Sequence, residues 1–355
     1  MGGTALITGS AGFIGFHTAS ALLQRGWRVV GIDNLNPYYD PELKQARHRI
    51  LGNHANFEAV IDGIERPGVL ATLMAEARPD TVIHLAAQAG VRHSIENPAS
   101  YVEANLSGTF ALLEAARAHP PRHMLMASTS SVYGAETEMP YRETMAANHQ
   151  MSFYAATKKA NEAMAHSYAH LFGIPITMFR FFTVFGPWGR PDMALFRFTR
   201  EILAGRPIDV FNHGAMRRDF TYVDDLVEGL SRLVPLAPPP AAARGAAIPG
   251  DSLSSVAPWR VVNIGHGSPV ELEEFIAALE RALGRRALRN LLPMQPGDVP
   301  ATWADTSLLT ALAGPLPRTP LDLGIARFVR WYLEFYGAPG QGASTAPGGA
   351  TGETP

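Results

Sequence analysis

Thr4-Ala5-Leu6-Ile7-Thr8-Gly9-Ser10-Ala11-Gly12-Phe13-Ile14-Gly15 opens the chain with a β-type run, a glycine turn and the start of a helix. The apolar period continues through Ala19, Ala21, Leu22 and Leu23 to a stop at Gly26. In such a unit Gly9 permits the tight turn, Gly12 lets backbone amides approach a diphosphate, and Gly15 allows close helix packing. The helix N-terminus adds partial positive charge. The spacing is G-x-x-G-x-x-G rather than G-x-G-x-x-G, and a glycine cluster alone is equally compatible with a plain turn. A second predicted strand, residues 28–32, ends in Asp33, close to the ~20-residue offset at which a carboxylate accepts adenosine ribose hydroxyls. A 2′-phosphate would be repelled there, so the expected cofactor is NAD. No Arg follows Asp33 directly, although Lys44, Arg47 and Arg49 lie further on.

Further strands are predicted at residues 57–61, 81–85 and 122–128, with helices near 68–77 and 101–118. This alternation predicts the α/β class, a doubly wound parallel sheet of Rossmann type. Ligands of such sheets lie beyond the carboxyl ends of the strands. Here those ends are Asp33, Asp62, the run Leu85, Ala86, Ala87 and Gln88, and the hydroxyl run Ser128, Thr129, Ser130 and Ser131, which also fits a polar turn. Tyr154 and Lys158 stand four apart at the start of an Ala-rich helical run and so share one face. A cation held beside a phenol favours the phenolate, which makes Tyr154 a candidate base and Lys158 its tuner. The same spacing also arises by chance on amphipathic helices.

Composition narrows the partners. The 355 residues are 46% hydrophobic and 17% charged, ordinary for a globular enzyme, and 30 basic against 32 acidic residues form no basic block. Nucleic acid and anionic membrane are therefore not expected, and a small-molecule substrate is. There is no cysteine, which excludes disulfides, thiolate nucleophiles and cysteine metal sites and suits a reducing cytoplasm. The N-terminus has neither a charged leader nor a long apolar segment, so a cytoplasmic location is expected. No metal is expected: His166 and His170 stand four apart, but no Glu follows His166 and no third ligand is evident. Asn105-Leu106-Ser107 matches a glycosylation sequon and is read as coincidence.

Taken together, Thr8-Gly9-x-x-Gly12-x-x-Gly15, Asp33, Thr129 ahead of Val132-Tyr133-Gly134, and Tyr154-x-x-x-Lys158 resemble the extended short-chain dehydrogenase/reductase family of nucleotide-sugar enzymes. Within it, the stretches 34–40, 87–92, 181–193 and 293–298 resemble the UDP-glucuronate 4-epimerase branch. The resemblance implies a transient 4-keto sugar, with NAD reduced and reoxidised in place, and Tyr154, Lys158 and Thr129 as catalytic residues. It implies NAD contacts from Gly9, Gly12, Phe13, Ile14, Gly15, Asp33, Asn34, Asn36, Asp62, Leu85, Ala86, Ala87, Gln88, Asn105, Tyr154 and Lys158. Thr183 and Arg190 match positions for the substrate carboxylate, with Ser130 and Ser131 as further candidates to restrain it, and Arg218 and Asp298 match diphosphate and uridine ribose contacts. Gln295 stands where related hexose epimerases have Arg, leaving one fewer cation for the diphosphate. The resemblance also implies a homodimer formed through a bundle that includes the Tyr154 helix.

Sugar 4,6-dehydratases typically carry Asp and Glu after the Thr, and glucuronate decarboxylases carry Glu at the second place. Here Ser130 and Ser131 follow, which argues against elimination and against decarboxylation. UDP-glucose or UDP-N-acetylhexosamine 4-epimerisation is the alternative within the class, and Arg190 weighs against it. A non-catalytic NAD-binding sensor or scaffold is the alternative outside it, weighed against by the joint presence of Thr129, Tyr154 and Lys158. The expected division is a dinucleotide-binding domain over 1–181, completed by segments near 219–235 and 260–284, a smaller, mainly substrate-binding domain over 182–337, and a disordered tail over 338–355. The Pro-, Ala- and Gly-rich residues 235–259 read as a surface insertion without chemistry.

Overall fold

The computed structural model describes residues 2–246 and 248–337; the expected tail at 338–355 lies outside the described residues. Seven strands form one parallel sheet: β1 (Thr4–Thr8), β2 (Arg28–Asp33), β3 (Phe57–Ile61), β4 (Thr81–His84), β5 (His123–Ala127), β6 (Ile176–Phe181) and β7 (Trp259–Ile264). Their spatial order is β7-β6-β5-β4-β1-β2-β3, with Thr4 opposite Arg28 and Ala5 opposite Thr81 on the two sides of β1. The chain runs outward from β1 to β3 and then restarts on the other side of β1 with β4. That reversal is the topological switch point at which doubly wound sheets bind ligands. Fully buried runs such as Ala5-Leu6-Ile7 and Val82-Ile83 are what a sheet covered on both faces requires. The helix Phe13–Gln24 packs with Val223–Leu233 on one face, and Val69–Ala77, Gly108–Ala118 and Phe153–Phe172 pack on the other.

Two element ends differ from expectation for a visible reason. β4 stops before Leu85 because the Thr8 hydroxyl accepts from the amides of Leu85 (3.2 Å) and Ala86 (3.1 Å) and turns the chain out of the sheet. The helix expected over 101–118 is interrupted: Tyr101 ends the short α-helix Pro98–Tyr101, Val102–Ser107 is a π-helix, a wider turn frequent at functional sites, and the α-helix resumes at Gly108.

A late segment completes the sheet. β7 pairs with β6, while the helix Leu272–Leu283 packs with Phe196, Phe328 and Trp331 in a separate apolar cluster formed by the C-terminal elements. The late contribution to the sheet therefore ends at Ile264. Residues 235–258 are also more than a surface insertion. Asp251 holds Arg260 of β7 in a two-pronged ion pair at 2.8 Å, Ser252 bonds both the amide and the carbonyl of Val261, and Arg244 donates to the carbonyls of Ser254, Ser255 and Ala257. Among the described residues, no helix is long and apolar enough to cross a membrane.

Candidate active site

The glycine turn is shaped by contacts that a side chain would break. Gly9 has φ +74°, and a Cβ there would lie 2.7 Å from the amide nitrogen of Ala86. At Gly15 a Cβ would lie 2.0 Å from the Gly9 carbonyl oxygen, so the helix packs onto its own turn as expected. The helix Phe13–Gln24 has Gly12 as its cap, with no capping side chain and no acid in its first turn. Its N–H groups are therefore left for an anion.

Around this turn lies a cleft that gathers most of the residues expected to bind a dinucleotide. Gly9, Gly12, Phe13, Ile14, Gly15, Asp33, Asn34, Asn36 and Asp62 line it, as do Leu85, Ala86, Ala87, Gln88, Tyr154 and Lys158. Asp33 braces the turn: one carboxylate oxygen accepts from the Ala11 amide at 3.1 Å and the other from the Leu35 amide at 2.9 Å, with lone pairs left over. The Asn36 side-chain amide donates to the Gln88 side-chain oxygen at 3.4 Å, and the buried Gln88 side-chain nitrogen has no partner among the described residues. Asp62 accepts from the Gly63 amide and from Arg66.

Asn105 is not on the cleft wall. Fully buried on the π-helix, its amide brackets the Gln88 backbone, accepting from the nitrogen at 2.8 Å and donating to the oxygen at 3.0 Å, and it also donates to Thr157. It shapes the Leu85–Gln88 wall from behind. Lys44, which sequence reasoning left without a role, lines the cleft and donates to the Asn36 carbonyl at 2.7 Å. Burial holds its ammonium below the usual range, with Asp33 pulling the other way. An apolar-periodic helix carrying one Lys gives no sign of which way it points.

The helix Phe153–Phe172 starts on Ser152, whose hydroxyl accepts from the Ala155 amide at 3.1 Å, and ends at Gly173 with φ +66°. It brings Tyr154 and Lys158 to the cleft, where the Lys158 ammonium donates to the Ala127 carbonyl at 2.9 Å. Burial lowers the Lys158 pKa to about 8. Burial acts on the phenol and on the ammonium alike. Burial pushes the Tyr154 phenol up, and the groups acting against it are the neighbouring Thr129 hydroxyl and the Arg190 charge. The reason is that both Tyr154 and Lys158 are withdrawn from water, so neither charged form is favoured. Behind them, Glu162 is locked to Arg180 at 2.8 Å and accepts from Ser128 at 2.6 Å, which fixes the strand end carrying Thr129.

Arg190 lines the same cleft, at the end of the loop Gly186-Pro187-Trp188-Gly189. It grips Asp192 through two hydrogen bonds, at 3.1 and 2.5 Å, and the Tyr38 hydroxyl donates to Asp192 at 3.3 Å. Burial works against its charge, but Asp192 overrides this and holds the guanidinium firmly protonated. An adjoining cavity is lined by Ser130, Ser131, Thr183, Arg218 and Asp298. Arg218 and Asp298, the expected diphosphate and ribose contacts, are paired at 2.8 Å. Gln295 lies off this wall with its buried carbonyl oxygen unpartnered among the described residues, and Arg92 stacks on Phe211 at 4.6 Å. His166 and His170 bond Ser254 and the Val256 carbonyl, tying residues 254–256 to the Tyr154 helix.

Comparison with known proteins agrees with this geometry. The profile of the NAD dependent epimerase/dehydratase family matches residues 5–239. A probable UDP-glucuronate 4-epimerase of Rhizobium meliloti is 53% identical over 93% of this chain and 97% of its own length. UDP-glucuronate 4-epimerase 4 of Arabidopsis thaliana is 45% identical over 94% of this chain and 76% of its own. The crystal structure of the UDP-glucuronic acid 4-epimerase from Bacillus cereus, in complex with UDP-glucuronic acid and NAD, superposes with a TM-score of 0.82 at 32% identity, covering 94% of this chain and 100% of that one. With a glycine cradle at the switch point, Asp33 behind it and Tyr154 and Lys158 across the cleft, the chain belongs to the NAD dependent epimerase/dehydratase family.

Proposed function

We propose that the protein interconverts UDP-glucuronate and UDP-galacturonate by oxidation and re-reduction at carbon 4 of the sugar. The observation that carries this reading is the sharing of one cleft by Tyr154, Lys158 and Arg190, with Ser130, Ser131 and Thr183 lining the cavity beside it. The cleft fits NAD: Gly9 and Gly15 leave a cradle that a Cβ would fill, and the side-chain nitrogen of Gln88, a lining residue, has no partner among the described residues. Gly9, Gly12, Phe13, Ile14 and Gly15 would hold the diphosphate, and Asp33, Asn34 and Asn36 the adenosine ribose. Asp62 would take the adenine end, and Leu85 to Gln88 with Lys158 the nicotinamide half. When bound, NAD supplies the hydride acceptor and donor at carbon 4.

Tyr154 then takes the proton of the 4-hydroxyl and returns it once the opposite face has been reduced, with Thr129 orienting the hydroxyl. Arg190 and Thr129 favour the phenolate that burial opposes. The 4-keto uronate carries its carboxylate β to the ketone and loses carbon dioxide when the breaking bond stands perpendicular to the carbonyl plane. Arg190, with Thr183, Ser130 and Ser131, would keep the carboxylate away from that angle, while Arg218 and Asp298 grip the UDP end. Gln295 would contribute no charge there. Ser130 and Ser131 offer no acid or base for elimination.

The test is incubation of purified protein with UDP-glucuronate and chromatographic separation of the products. UDP-galacturonate is the expected product; UDP-pentose would make the protein a decarboxylase, and no turnover of any UDP-sugar would leave a binding module. The same reading takes residues 1–181, with the later strand and the Val223–Leu233 helix, as the NAD-binding domain and most of 182–337 as the substrate-binding domain. It takes the protein as a homodimer, supported by exposed Val102, Phe110, Phe153, Leu171 and Phe172 on neighbouring helices, and as cytoplasmic, supported by the absence of cysteine. Size-exclusion chromatography with light scattering tests the dimer; a monomer across micromolar concentrations would refute it.

A further inference from the structure

We infer that Arg47, with His17 beside it, is a positioning residue for the uronate carboxylate: from the nucleotide-binding half it fixes the loop that aims Arg190. This rests on the proposed uronate reading. Arg47 lies on the helix Pro41–Leu51 and is 0% exposed. Its hydrogen bonds among the described residues go to uncharged oxygens only. Nη1 donates to the Ala11 carbonyl inside the glycine turn at 2.7 Å and to the Tyr39 hydroxyl at 3.0 Å. Nη2 donates to the carbonyls of Trp188 at 2.6 Å and Gly189 at 3.3 Å. From the first helix, His17 Nε2 donates to the Pro187 carbonyl at 3.0 Å, which requires the tautomer protonated on that nitrogen. Three successive carbonyls just ahead of Arg190 are thus held by two side chains of the nucleotide-binding half.

The loop needs such holding. Trp188 sits in the left-handed region at φ +60°, a conformation that a bulky side chain disfavours in an unsupported loop. A buried guanidinium without a counter-charge is costly, so the geometry it secures must be over-determined by the rest of the fold. Only a planar fork bonds Ala11 on one side and two carbonyls on the other; an ammonium does not span both. The consequence is a rigid link between the turn that would carry the cofactor's diphosphate and the guanidinium that would carry the substrate's carboxylate. The carboxylate is then placed relative to the cofactor, independently of the grip that Arg218 and Asp298 have on UDP.

The test is a double-mutant cycle on the NAD-loaded protein: wild type, Arg47→Lys, Arg190→Ala and the double variant, each titrated with UDP-glucuronate and with UDP, which lacks the uronate. Arg47→Lys is expected to weaken UDP-glucuronate binding by roughly tenfold, the cost of leaving loop carbonyls unbonded, and to leave UDP binding within about threefold. It should also raise the share of decarboxylated pentose among the products. On the Arg190→Ala background it should have no further effect on UDP-glucuronate, because its route runs through Arg190. Parallel loss of UDP and UDP-glucuronate binding, or an effect undiminished on the Arg190→Ala background, would overturn the inference. If Arg47→Lys does not fold, His17→Phe goes through the same cycle with the same two outcomes. A wild type that neither binds nor converts UDP-glucuronate removes the proposed function itself; an active wild type with an inert Arg47 removes only this link.

Discussion

Gly15→Ala sets two physical expectations against each other. Gly15 lies in the first turn of a helix with ordinary helical backbone, where Ala is intrinsically better than Gly by ~1 kcal/mol. On propensity alone the variant is more stable and otherwise silent. The structure predicts the reverse for the cofactor, because the new Cβ would stand 2.0 Å from the Gly9 carbonyl oxygen, whereas ordinary contact begins near 3.4 Å. The turn and the helix start must separate by about 1.4 Å. Gly9 has nowhere to retreat: its amide donates to the Ile32 carbonyl at 2.7 Å, and the Leu85–Ala86 backbone closes the other side. A displacement on the order of 1 Å in a preorganised site costs roughly 100-fold, or ~3 kcal/mol of NAD binding. The assay is NAD released on denaturation, followed by titration of the stripped protein. Gly68→Ala is the control: φ is +85° but nothing lies within 4 Å, so it carries left-handed strain of roughly 1 kcal/mol without a clash. NAD affinity in Gly15→Ala within threefold of wild type, or equal loss in Gly68→Ala, would refute the reasoning.

Other expectations follow from the same geometry. Tyr154→Phe removes the proposed base and should lower turnover of UDP-glucuronate by about 10²-fold or more while bound NAD, measured spectroscopically, is retained; substantial turnover would exclude Tyr154 as the base. Arg190→Ala should weaken UDP-glucuronate by roughly 2 kcal/mol and a neutral UDP-hexose by far less, and equal losses in competition titrations would sink the carboxylate assignment. Glu143 is buried, and burial raises its pKa to about 7 despite the Asn263 amide it accepts from. The folded state therefore holds its proton above the pH at which the unfolded chain releases it. Its contribution to stability is full below pH ~4.5 and is lost as pH rises through ~7, a difference on the order of 3 kcal/mol. Glu143→Gln should consequently melt close to wild type at low pH and above it at pH 8, and parallel melting curves would contradict this.

The parts of the fold written in local sequence were legible. β1 and β3 begin and end where the apolar runs and glycines placed them, and the Tyr154 helix ends on Gly173 because that residue takes up a left-handed conformation. What could not be read depends on partners far away in sequence. The π-helix carries Asn105 to the Gln88 backbone, and the early end of β4 follows from a hydroxyl 77 residues upstream of Leu85. Lys44 and Arg47 sit on one amphipathic helix, and nothing in its period says that the first faces the cleft while the second turns inward to a loop 141 residues on. The candidate site was legible where glycine and strand-end chemistry define it, around Gly9, Asp33 and Gln88. It was not legible at Asp192, whose hold on Arg190 is a contact two residues away that only the loop conformation creates.

The segment from Asp251 to Ser254 has a consequence for how the protein behaves in concentrated solution. β7 is the outermost strand on its side of the sheet, and its open hydrogen-bonding groups would otherwise form a template for another chain. Ser252 occupies both polar groups of Val261, and the Ser254 amide takes the Trp259 carbonyl at 2.9 Å. A stretch of low-complexity sequence thereby acts as a built-in plug against edge-to-edge aggregation. Trimming residues 235–258 to a tight turn, a natural economy for crystallisation, would bare that edge and produce a protein that precipitates.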